Sequence, residues 1–73
     1  MYYLLKTEHG ETDIIGMFEH YRDAYTLEAD ILKAPVKELV RRARSGWFIQ
    51  IVDEAKARKL MHQFFNPTPG ILP

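Results

Sequence analysis

The sequence predicts a small α+β domain of element order β-β-α-α-β-α, in which a three-stranded antiparallel sheet of order 2-1-3 is packed by helices. Three observations predict it. Trp47-Phe48-Ile49-Gln50-Ile51-Val52 gathers aromatic and β-branched residues around one polar member, the pattern of a largely buried strand. Tyr2 to Thr7 and Thr12 to Phe18 flank the short turn Glu8-His9-Gly10-Glu11, where Gly10 can take positive φ, and so read as an antiparallel hairpin. The remaining segments carry apolar residues at three- and four-residue intervals, a helical period.

Taken in order, Tyr2 to Thr7 is apolar on both faces through Leu4 and Leu5, which suits a central strand. In the second strand Ile14, Gly16 and Phe18 alternate with Asp13, Ile15 and Met17. From about His20 the helical set is Tyr21, Ala24, Tyr25, Leu27, Ile31 and Leu32, with no good N-capping residue ahead of it and with Glu28 in the apolar sector. Pro35 opens a second helix whose apolar stripe, Val36, Leu39, Val40 and Ala43, is expected to be buried, and Gly46 ends it. Asp53 caps a third helix with Ala57, Leu60, Met61, Phe64 and Phe65 on one side, and Asn66-Pro67 stops it. A right-handed crossover then places the third strand beside the first, making every neighbouring pair antiparallel. Residues 1–66 form one domain and 67–73 an extended tail.

Composition narrows the function classes. At 73 residues without cysteine, the chain has no disulfide to support a small core, and its cysteine usage fits a reducing, cytoplasmic setting. Tyr2 to Leu5 is far too short to be a signal or a membrane span, so no membrane association is expected. His9, His20 and His62 are not spaced to converge on a metal, Ser45 is the only serine and has no base nearby in sequence, and the glycines form no phosphate loop. The expectation is a protein without cofactor, metal or catalytic set. Glu28 is the one carboxylate set among apolar residues; it can serve as a proton carrier or simply turn its head to water or to Tyr21 or Tyr25.

Net charge is zero but divided. Residues 1–32 hold seven acids against two bases, a net of −5, and the rest holds eight bases against three acids, a net of +5. Such asymmetry points to a charged partner, or to two elements that neutralise each other within the fold.

The most specific constellation is Lys37, Arg41 and Arg44, whose i, i+4, i+7 spacing aligns three cations on one flank of the second helix, while Glu38 and Arg42 fall on the other and can pair. This flank can face an acidic protein surface or successive phosphates, or be merely solvated. The stretch Ile31 to Gly46, above all Leu39-Val40-Arg41-Arg42-Ala43-Arg44-Ser45-Gly46, resembles the recognition helix of small helix-turn-helix proteins of the excisionase and MerR type, over about a fifth of the chain. It departs from that pattern at the turn Lys33-Ala34-Pro35 and in lacking a basic wing after the helix. The resemblance implies DNA binding through Lys37, Arg41 and Arg44.

The sheet supplies a second candidate. Tyr2, Leu4, Phe48 and Val52 are expected on one face, and both faces are apolar. Either the helices divide between the faces or one face meets another subunit. The combined expectation is a non-enzymatic protein-interaction or regulatory module acting as a homodimer. A DNA-binding regulator is the alternative, and an enzyme with a site formed only between subunits the third reading.

Overall fold

The hairpin turn fixes one end of the molecule. In the computed structural model, which describes residues 1–65 and side chains as far as Leu60, Tyr2–Glu8 forms β1 and Glu11–Phe18 forms β2. The expected tail 67–73, the stop at Asn66-Pro67 and the side chains of Met61, His62, Phe64 and Phe65 lie outside the described residues. His9 at φ 55° and Gly10 at φ 78° make the two-residue loop with positive φ at both positions, the turn whose twist matches that of the flanking strands.

The remaining elements are α1 (Tyr21–Leu32), α2 (Val36–Ser45), β3 (Phe48–Asp53) and α3 (Glu54–Phe65). The sheet runs β2-β1-β3 with both pairs antiparallel, as the doubly apolar first strand requires. Adjacent residues Leu4 and Leu5 are both fully buried, which demands cover on both faces. The helices divide between them. On the Leu4 face, α1 lays its buried Ala24 over the sheet. On the Leu5 face, α3 supplies Ala57 to a core with Leu5 and Val52, flanked by Tyr3 and Ile14.

A bulge corrects the expected alternation of β2. Leu4 pairs with Gly16 but Leu5 pairs with Ile14, so Ile15 is an extra, unpaired residue. Ile14 therefore joins Leu5 on the α3 side while Gly16 and Phe18 stay with Leu4 on the α1 side. Gly16 matters there, since a Cβ would lie 2.7 Å from the Phe18 ring and 3.5 Å from Leu27. Chain ends of the helices follow the sequence signals closely. The Lys56 amide donates to Asp53 Oδ1 at 2.8 Å, capping α3, whereas His20 gives α1 no side-chain cap.

Candidate functional site

The second helix sits on the body the opposite way round from the sequence expectation. Its half-buried positions are Glu38, Arg42 and Ser45, which share one face at i, i+4, i+7, while Val36, Leu39, Val40 and Ala43 face outward. Val36 is 75% exposed, Leu39 44% and Val40 45%. An amphipathic stripe normally turns to the core. Here polar groups at the margin of the fold offer the other face better partners.

Arg42 makes the attachment to α1. Its Nη1 donates to the Ile31 carbonyl at 2.8 Å, satisfying a carbonyl of the last turn of α1, and its Nε donates to Glu38 at 2.8 Å. The guanidinium lies 4.1 Å over the Trp47 ring, a cation–π contact. The Trp47 amide returns a bond to the Arg42 carbonyl at 3.0 Å, and Gly46 at φ 69° turns the chain between them. This is a glycine-terminated helix end in which the usual hydrophobic contact across the cap is replaced by guanidinium on indole. Trp47 is accordingly half-buried and precedes β3, instead of opening the strand beside Ile49 and Ile51.

At the other contact, the hairpin turn grips the end of α2. The His9 amide donates to the Ser45 carbonyl at 2.8 Å, Ser45 Oγ donates to Glu8 at 2.9 Å, and Arg41 Nη1 donates to the same carboxylate at 2.9 Å. Arg41 also grips Glu38 through two nitrogens, at 2.9 and 2.7 Å. Hydrogen bonds from Arg41 and then Arg42 hold the Glu38 carboxyl down to about 2 from an ordinary 4.5. Those from Arg41 and Ser45 lower Glu8, and the two carboxylates raise Arg41 further.

This geometry breaks the expected cationic row in its middle. Lys37 and Arg44 form no ion pair among the described residues, but Arg41 is taken up by Glu38 and Glu8. The two unpaired cations border an open depression of about 720 Å³ that Val40 and Pro35 also line. Thus α2 presents an apolar stripe edged by two positive charges.

The other predicted set does not form one patch. The register puts Tyr2 and Leu4 on the α1 face with Ile51, and Phe48 and Val52 on the α3 face with Tyr3 and Leu5. Leu4 and Val52 are core residues, each covered by its own helix. The expected alternation holds along β1 and along β3, but the offset between them sets which residues share a face, and composition does not reveal that offset. Glu28 is half-buried on α1. Among the described residues no cluster of three metal-ligating side chains occurs, and no helix is long and apolar enough to cross a membrane.

Nor does the fold neutralise its divided charge by direct pairing. Of the seven acids in residues 1–32, Glu8 alone forms an ion pair with the second half among the described residues, and Lys33, Lys37, Arg44, Lys56 and Lys59 likewise have no ion-pair partner there. Comparison of the chain with protein-family models, with curated proteins and with solved structures finds no match.

Proposed function

We propose that the chain is a small non-enzymatic protein-interaction module with a regulatory role, working as a homodimer, and that α2 is its docking element. The observation that carries this reading is the outward stripe of Val36, Leu39 and Val40. Contiguous apolar surface on a monomer is costly to leave in water and marks interaction sites. The polar face of α2 fixes the helix in register on the body, so the stripe is displayed in a set orientation.

DNA binding through Lys37, Arg41 and Arg44 is the competing reading, and the commitment of Arg41 to two carboxylates weakens it. With two cations left, the slope of log K against log salt would be about −1.8, too shallow for strong duplex binding without further contacts. The deciding experiment is affinity capture from the native host by the immobilised chain and by a Val36→Ser/Val40→Ser variant, with protein and nucleic acid both analysed. The expected outcome is protein retained by the wild type and lost by the variant, whose melting stays close to that of the wild type because both positions are exposed. Duplex DNA retained at low salt and lost on Lys37→Gln/Arg44→Gln would contradict the proposal.

A further inference from the structure

We infer that the occupant of the α2 stripe is α1 of a second copy of this chain, and that the contact is reciprocal, α2 on the partner's α1 and α1 on the partner's α2. The inference rests on the reading of α2 as a docking element and names its partner.

The first observation is the outer line of α1. Tyr21, Tyr25, Glu28 and Leu32 follow one another at four, three and four residues, so they share one flank of the helix. Tyr21, Tyr25 and Leu32 are each at least half exposed. The Tyr21 and Tyr25 rings stack at 6.4 Å and Tyr2 meets Tyr21 edge-on at 5.6 Å, giving a preordered aromatic surface that loses little entropy on docking. Val36, Val40 and Ala43 on α2 carry the complementary spacing of four and three, with Leu39 beside them. Two apolar lines of that spacing can interdigitate as packed helices do.

Charge selects this pairing over the simpler one. Laying α2 on the partner's α2 would bring Lys37 and Arg44 of both copies together. By contrast α1 carries Asp23, Glu28 and Asp30 against Arg22, and α2 carries Lys37, Arg41, Arg42 and Arg44 against Glu38. Glu28 has no ion-pair partner among the described residues and lies within the α1 line, where Lys37 or Arg44 of a second copy can reach it.

Area points the same way. A ten-residue helix is about 15 Å long and about 10 Å across, a footprint well short of the roughly 800 Å² per partner that a stable interface needs. A two-fold axis repeats the α1–α2 contact and so doubles that footprint to about 300 Å² per chain, at the small, weakly associating end of interfaces but twice what one-sided docking on α2 gives.

Sedimentation velocity on the full chain, from about 1 to about 500 μM, reads the result directly, with thermal melting as the check on folding. The expected outcome is a dimer whose dissociation constant rises about tenfold or more on Glu28→Lys, on Lys37→Glu/Arg44→Glu and on the exposed Tyr25→Ala, each variant remaining folded. Mixing Glu28→Lys chains with Lys37→Glu/Arg44→Glu chains should restore a dimer, because both reciprocal contacts then join opposite charges. A chain monomeric throughout that range overturns the inference, as does a dimer indifferent to Glu28→Lys and Tyr25→Ala. In either case the capture experiment above still decides separately whether α2 docks a different protein.

Discussion

Replacing Leu5 by alanine should remove a large share of the fold's stability. Leu5 is fully buried between β1 and α3, with Val52, Ala57, Tyr3 and Ile14 around it. Truncating such a leucine removes its transfer free energy and leaves a cavity, together about 2–5 kcal/mol. A chain of 73 residues has on the order of 4–11 kcal/mol in all, so the loss approaches the total at its lower end. Urea denaturation followed by far-UV circular dichroism measures it. A midpoint unchanged within error would mean that α3 does not cover this face of the sheet.

The second large effect is expected at Arg42→Met, which keeps the length and apolar stem but removes the charge. It loses the bonds to Glu38 and to the Ile31 carbonyl and the contact over Trp47. Bonds to charged donors contribute about 1.5–3 kcal/mol each and a cation–π contact about 0.5–2, and since the three act as one unit the sum is not additive. We expect a loss of about 2–4 kcal/mol that appears as loosening of α2 from α1 and Trp47 while the hairpin turn still holds Ser45 and Arg41, with a red shift of Trp47 emission ahead of the global melt. Acid should act on the same attachment reversibly. The Glu38 and Glu8 carboxyls are lower in the folded chain than their ordinary 4.5, Glu38 at about 2. Their contribution is complete above about pH 4.5 and is lost as the pH falls below it, the Glu38 part through about 2 and the Glu8 part, the one of the two that joins α2 to the hairpin turn, below its ordinary value. Both are partly open to solvent, so the effect should shrink as salt is added. Trp47 emission that is indifferent both to Arg42→Met and to pH 2 would show that Arg42 and the two carboxylates contribute little to holding α2.

The frame of the fold was legible because Leu4 and Leu5 stand next to each other in a strand that must then be covered twice, and because His9-Gly10 admits a tight reversal. The bulge at Ile15 was not legible, since an isoleucine there is compatible with either face and only the pairing of β1 shows the extra residue. The candidate site was half legible. Lys37, Arg41 and Arg44 do line one flank of α2, and Glu38 does pair with Arg42, but helical periodicity fixes which residues share a face without fixing which face turns inward. The missed signal was the polar face itself. Glu38, Arg42 and Ser45 align as well as the apolar stripe does, and the bond of Arg42 to a free helix-end carbonyl together with those of Ser45 and Arg41 to the hairpin turn outweighed a stripe of two valines, a leucine and an alanine. The interface set Tyr2, Leu4, Phe48 and Val52 failed for a different reason, the unseen offset between strands.

The orientation of α2 underlies both the docking proposal and its occupant, and thiol labelling tests it most directly because the chain has no cysteine of its own. Val40→Cys and Ser45→Cys place a single thiol on opposite faces of the helix, the second nearly isosteric with the serine that binds Glu8. The rates of reaction with a neutral thiol reagent would be compared in folded chains dilute enough to be monomeric and in chains unfolded by urea. The arrangement described predicts that Val40→Cys reacts in the folded chain within a few-fold of its unfolded rate and that Ser45→Cys is slowed about tenfold or more, since it reacts only when α2 opens locally. A protected Val40→Cys beside a freely reacting Ser45→Cys would mean that the apolar stripe is core, and would contradict the account.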